Sequence, residues 1–209
     1  MIVKKGYDAW LSLSLTYFQE MERFLEETET LWNTRLKEYE AMANEIKEEE
    51  IKEEFYDYHY DEWILYRDDF PRIAKYSVVV NCFSYFEKLS SEYYNRALKF
   101  NTKLEKYHSD RLHARDYVNW FRKNFDKEIF PNQTFSTFDA MNQVRNRIVH
   151  SNGKVDLYKN KGIVKIIDNS SSIKLNDRNE IYMNREYIRE VTNVLSELIQ
   201  NMHNCVYKK

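Results

Sequence analysis

Three glycines and two prolines in 209 residues leave this chain few places to turn sharply. Sandwiches and barrels need a turn every eight to twelve residues and draw heavily on Gly and Pro to make them. A chain with so few breakers is expected to form long helices joined by few loops. Its length suits one ordinary domain with a sizeable core. Hydrophobic residues at 43% and charged residues at 32% fit a soluble globular protein. The expected class is therefore all-α, with residues 1–209 forming a single helical bundle.

The periodicities divide that bundle. Phe18, Met21, Leu25, Trp32, Leu36, Tyr39, Met42 and Ile46 recur at spacings of three, four and seven. They predict a first helix from about Tyr7 to about Glu54. Unbroken, it would run roughly 70 Å at 1.5 Å per residue, longer than a small domain's core. It therefore either breaks near Glu48–Glu50 or projects as an arm. Phe55 to Trp63 has no clear period and reads as a connection. Asp69 as cap and Pro71 in the first turn predict a second, central helix running to about Phe100. It carries Val79, Phe83, Phe86 and Ser90 on one side, with Val78, Cys82, Tyr85, Leu89 and Tyr93 beside them. A third helix covers about Ser109 to Asp126. A fourth begins at a Ser136-Thr137-Phe138-Asp139 capping box, turns Phe138, Met141, Val144 and Ile148 inward and stops at Asn152-Gly153. Short strands are expected at 155–157, 163–167 and 173–175, a small β-hairpin-like insertion with Asn160-Lys161-Gly162 as its turn. A last helix runs from an Asn184 cap to about Cys205.

The net charge of −2 conceals a polarity. Residues 1–70 hold 8 Lys and Arg against 19 Asp and Glu, and residues 71–209 hold 24 against 15. An acidic N-terminal segment thus precedes a basic body able to attract an anion. The acidic segment has three readings: a solvated helix face, a surface folded on the body, or a docking surface for a basic partner. Cys82 and Cys205 follow no metal or redox spacing, which fits a reduced, cytoplasmic protein. Asp8 and the lack of a small-residue cleavage site argue against a signal peptide. The best apolar run, Tyr76 to Phe86, is too short to span a membrane.

The chemistry concentrates in Arg145-Asn146-Arg147-Ile148-Val149-His150. On a helix, Asn146 and His150 stand one above the other, and Arg145 lies about 100° round from Asn146. The group combines a permanent cation, an orienting amide and a side chain titrating near neutral pH, which suits work on a phosphodiester. Glu87 lies beside Phe83 and Phe86 on the central helix, needs a partner there, and has Arg145 as a candidate. His108 and His113, with Asp110, Arg111, Arg115 and Asp116, form a polar patch. Two histidines five apart do not have metal-pair spacing, so His113 and Arg115 read as surface or RNA contacts. His59 and His203 have no partner in sequence and read as surface. Three glycines leave no room for a phosphate-cradling loop.

Arg145-Asn146-x-x-x-His150 resembles the R-x(4–6)-H motif of the HEPN superfamily, including the polar residue after the arginine. The context is similar too: a bundle with the motif late in its fourth helix, then a turn and a final helix, over about residues 70–205. The 155–175 insertion is longer than a minimal bundle of this kind needs. The resemblance implies metal-independent RNA cleavage, without a cofactor, by a homodimer whose two motifs meet across a symmetric cleft. Arg145, Asn146 and His150 would then be catalytic, with Glu87 behind Arg145. It places the chain among antiviral-defence or toxin–antitoxin effectors, with an antitoxin or regulatory protein as partner. Each residue also has a plain reading. His150 can be a polar helix-end residue favoured by the C-terminal dipole, and Arg145 a structural partner of Glu87. Arg147 reads as a solvent or RNA-backbone contact. The alternative function is a non-catalytic helical module that binds RNA or protein.

Overall fold

The computed structural model describes residues 2–107, 109, 111–125 and 129–207, with the backbone alone for residues 2–7. His108 and Asp110 of the polar patch, and the expected helix end at Asp126, lie outside the described residues.

The chain is mostly helical, with one small two-stranded hairpin. The first helix, α1, runs Ile2–Glu45 and is followed by α2, Glu49–Tyr58. The break comes at Glu48, whose backbone is extended (φ −92°, ψ 120°), at the near edge of the expected stretch. The helix does not project over the three heptads from Leu11 to Trp32. Leu11, Phe18, Leu25 and Trp32 are buried, seven apart, and α1 packs on two later helices. Beyond Trp32 the heptad series is less buried, with Met42 48% exposed, although Ala43 is fully buried.

Phe55 to Trp63 is not an irregular connection. It is helical through α2 and α3, Tyr60–Ile64, and one π-helical turn, Leu65–Asp69, leads into α4, Phe70–Phe100. Asp69 does not cap α4. Its backbone is already helical (φ −78°, ψ −48°), and its carboxylate takes Arg72 at 3.1 Å. Pro71 does sit in the first turn of α4, directly after the π-helical turn. The central role holds: Val78, Val79, Cys82, Phe83, Phe86, Leu89, Ser90 and Tyr93 are all buried. α4 touches α1, α5 (Ala114–Asn124), α6 (Asn132–Ser151) and α8 (Arg185–Tyr207).

α6 begins one turn before its expected capping box, with Pro131 as the residue preceding the helix. Ser136 therefore lies inside α6, where its hydroxyl donates back to the Gln133 carbonyl at 2.9 Å. The inward face is as expected: Phe138, Met141, Val144 and Ile148 are buried. Phe138 meets Phe83 and Phe86 of α4 with ring centroids 5.9 and 5.5 Å away. The stop at Asn152-Gly153 is also as expected. Both residues have positive φ (48° and 75°), and the Gly153 N–H donates to the Arg147 carbonyl, a left-handed helix ending.

Only one of the three expected strands forms. Residues 163–167 belong to a helix, α7, Lys161–Asp168. Ile163 and Ile167, four apart, are its buried pair. Their β-branched character suggested a strand, but burial at helical spacing prevails over that weak preference. β1, Ile173–Leu175, pairs antiparallel with β2, Ile181–Met183, which was not anticipated. Residues 155–157 stay irregular, with Lys154 bridged to Glu180. Asn184 does cap α8, accepting the Tyr187 N–H at 3.0 Å.

His203 is fully buried, contrary to its surface reading. Its ring lies 3.2 Å from the Tyr93 hydroxyl and 3.2 Å from the Asp8 carboxylate. No helix among the described residues is long and apolar enough to cross a membrane.

Candidate functional site

Three helices meet at the site. α4 contributes Phe83 and Glu87, one turn apart. α5 contributes its start, His113 to Asp116. α6 contributes Asn142, Arg145, Asn146 and His150. Together they line an open cleft of about 360 Å³, within the size range of small-ligand sites. Asn142, Asn146 and His150 follow at i, i+4 and i+8, so they form one polar stripe beside the buried Met141-Val144-Ile148 face. Of the residues singled out in the sequence, Arg145, Asn146, His150, Glu87, His113 and Arg115 all come to this cleft. Arg147 does not. Its guanidinium is half-buried and donates to the Ser151 hydroxyl at 3.1 Å.

The cleft is held by contacts between its walls. The Glu87 carboxylate accepts the Ala114 N–H at 2.9 Å, tying α4 to the first turn of α5. It also lies 4.0 Å from Nδ1 of His113. Asp116 accepts the His113 N–H at 2.9 Å, closing the start of the same helix. Arg115 Nε lies 2.8 Å from the Asp139 carboxylate, tying α5 to α6. These carboxylates belong at a helix N-terminus, where the dipole favours negative charge.

The expected Glu87–Arg145 pair does not form among the described residues, because Glu87 is directed to the start of α5. Arg145 instead donates from Nη1 to its neighbour's amide oxygen, Asn146 Oδ1, at 3.0 Å. Its Nε is buried and has no hydrogen-bond partner among the described residues. A part-buried guanidinium with an unmatched donor and no carboxylate is incomplete, since desolvating a cation without a counter-charge is costly. An anion entering the cleft would complete it. Beside it stand two histidines from different helices, both exposed, an arrangement suited to moving protons at a bound anion.

Asn142 was missed in the sequence, although its signal was there, four residues before Asn146 on the same face. That His113 shares a cleft with His150 was not legible, since they lie 37 positions apart and only the packing of α5 and α6 on α4, with the Arg115–Asp139 ion pair, brings them together.

A larger cavity of about 560 Å³ lies between α6, α7 and α8, lined mainly by uncharged side chains such as Gln133, Thr137 and Asn169. Its two ionisable groups are Glu190 and Tyr187, and the Tyr187 hydroxyl is buried with no hydrogen-bond partner among the described residues. Glu190 accepts from the Ser172 hydroxyl at 3.0 Å, and burial, with Glu190 nearby, pushes the Tyr187 phenol far above its ordinary value. It is the bigger hollow but the poorer in chemistry. No group of three or more His, Cys, Asp or Glu is arranged to hold a metal among the described residues.

Comparison of the chain with family models, with curated proteins and with solved structures returned no match.

Proposed function

We propose that this protein is an endoribonuclease of the HEPN type, working without a metal or other cofactor as an effector of antiviral defence or of a toxin–antitoxin pair. The observation that carries this reading is Arg145, a part-buried cation with no carboxylate partner among the described residues, which is bonded to Asn146 and lines the same open cleft as His150. In cleavage, the RNA 2′-hydroxyl loses its proton and attacks the adjacent phosphorus, and the bond to the 5′-oxygen breaks. The products are a 2′,3′-cyclic phosphate and a 5′-hydroxyl. His150 handles a proton, a role worth about 10²–10⁴ in rate. Arg145 binds the non-bridging oxygens and stabilises the charge that grows on them. Asn146 holds Arg145 in place through its amide oxygen. Glu87 acts more remotely than a direct Arg145 partner would, by fixing the start of α5 against α4. A homodimer and a restraining protein partner remain part of this reading through the motif's resemblance.

The test uses the purified full-length chain, mixed RNA and excess EDTA. Cleavage leaving 2′,3′-cyclic ends is expected, and His150→Ala and Arg145→Ala should each lower its rate by about 10²-fold or more while the protein stays folded. If both variants cleave like the wild type, the reading is wrong. Binding of RNA without any cleavage by the wild type would instead favour a non-catalytic RNA-binding module.

A further inference from the structure

We propose that His113 is the second proton-transfer group of this site, so that one chain carries both the base and the acid for cleavage. This rests on the ribonuclease reading above. An in-line displacement at phosphorus puts the attacking and leaving oxygens on opposite sides. The proton acceptor and the proton donor must therefore stand on different walls. His150 stands on α6 and His113 at the start of α5, and both line the same cleft as Arg145. A motif confined to one helix supplies a single histidine, and cleavage by such a motif alone needs a second copy. The packing of α5 and α6 on α4, with Arg115 of α5 paired to Asp139 of α6, supplies the second histidine within the chain.

The surroundings distinguish the two roles. His113 has an anion at hand: the Glu87 carboxylate is 4.0 Å from its Nδ1, an ion-pair distance when the ring is protonated. Asp116 lies one turn on in α5, engaged with the His113 backbone. Arg115 beside it is occupied by Asp139 of α6. His150 shares the lining with Arg145 and forms no ion pair with a carboxylate among the described residues. His113 is therefore assigned as the acid and His150 as the base. The 2′-hydroxyl proton passes to His150 as the 2′-oxygen bonds to phosphorus. The bond from phosphorus to the 5′-oxygen breaks, and the proton of His113 passes to that oxygen. Arg145 bears the extra charge on the non-bridging oxygens throughout. The two protons balance, and no electron is exchanged with a co-reactant.

The experiment uses His113→Asn, which keeps a side chain suited to the start of a helix, and His150→Ala. Circular dichroism and a thermal melt establish that each is folded. Both are assayed on oligoribonucleotides with ordinary linkages and on a set carrying a 5′-bridging sulfur at every dinucleotide step. Sulfur leaves without being protonated, so it removes the need for an acid and for nothing else. On ordinary RNA both variants should lose about 10²–10⁴-fold in rate. With the sulfur linkage, His113→Asn should return to within about tenfold of the wild type, while His150→Ala stays slow. If His113→Asn cleaves ordinary RNA normally while His150→Ala does not, the inference fails and the ribonuclease reading stands. If His113→Asn is equally slow on both linkages, His113 is a positioning residue and the acid assignment is overturned. If His150→Ala cleaves like the wild type, the ribonuclease reading fails and this inference fails with it. An equimolar mixture of the two variants should stay inactive. Restored cleavage would mean that the histidines act across a dimer and would overturn the single-chain assignment.

Discussion

Replacing Gly153 by alanine tests the stop that ends the helix bearing Arg145 and His150. Gly153 has φ +75°, and a Cβ placed there would lie 1.9 Å from the Tyr76 hydroxyl oxygen, 2.5 Å from Cζ and 2.7 Å from Cε2. The left-handed conformation alone costs an L-residue about 1–2 kcal/mol. The clash adds to that, because the tyrosine cannot simply move aside. Tyr76 is 5% exposed, and its hydroxyl donates to the Ile181 carbonyl at 2.6 Å. Swinging the ring away breaks that buried hydrogen bond, which costs a further ~1–3 kcal/mol. Gly153→Ala should therefore destabilise by about 2–5 kcal/mol in urea unfolding at fixed pH, a large share of an ordinary domain's stability. The clash part is separable. In a Tyr76→Leu background the ring is gone, and the added cost of Gly153→Ala should fall to about 1–2 kcal/mol. A Gly153→Ala midpoint equal to wild type, or the same penalty in both backgrounds, would refute the account.

Three other outcomes follow from buried polar groups. The Tyr187 hydroxyl is buried with no hydrogen-bond partner among the described residues, so Tyr187→Phe should leave stability unchanged or raise it by about 1 kcal/mol; a loss beyond about 1 kcal/mol in urea unfolding would refute this. Burial, with Glu180 adding to it and Arg72 opposing it, pushes the Tyr76 phenol from 10.0 up to about 12, while burial and then Glu22 push the Cys82 thiol from 9.0 up to about 12. Both folded values lie above the unfolded ones, so this stabilisation is complete below pH 9 and is lost as pH rises from 9 to 12. Urea midpoints across that window should fall, and a Cys82→Ala midpoint should fall less steeply. Glu29, 17% exposed at its side chain, accepts both Lys75 at 3.3 Å and Arg185 at 2.8 Å, whereas Glu26, 63% exposed, meets only Arg185 at 3.3 Å. Glu29→Ala strands a buried lysine and should cost on the order of 3 kcal/mol, against about 0–1 kcal/mol for Glu26→Ala; equal costs by the same assay would overturn that ranking.

What could be read in the sequence was whatever lies within one helix. Phe138, Met141, Val144 and Ile148 announce a buried face by their spacing, and Asn146 and His150 announce a polar one. Asn152-Gly153 marks the stop because few residues tolerate positive φ. The errors fall where distant contacts overrule local preference. Ser136 has cap chemistry, yet the phenyl seam of Phe138 with Phe83 and Phe86 lies in a helix that already started at Asn132. Ile163 and Ile167 have strand propensity but bury as a helical pair. Asp69 looks like a cap but sits within helical backbone continuing from Tyr60. Glu87 needed a partner, as inferred, and the nearest suitable one was a backbone N–H at the start of α5, which no residue pattern encodes.

The acidic N-terminal segment divides into two parts once its contacts are known. Glu22, Glu26 and Glu29 of α1 meet Thr192, Arg185 and Lys75 from α8 and α4. This part of the acidic charge is used within the fold, opposite part of the basic excess of residues 71–209. The same stretch buries Phe18, Leu25 and Trp32, so α1 is a wall of the bundle and not a detachable arm. Beyond the break at Glu48, α2 has no buried residue and carries Glu49, Glu50, Glu53 and Glu54. Charge there forms no ion pair among the described residues and is well hydrated, which makes it cheap to keep. The three readings open for the segment therefore apply to different residues. Folding on the body accounts for Glu22, Glu26 and Glu29 of α1, and the exposed carboxylates of α1 and of α2 remain as a solvated face or a surface for a basic partner. With Glu26 and Glu29 of α1 paired to Arg185 and Lys75, the exposed cleft between α4, α5 and α6 keeps Arg145 for whatever anion enters it.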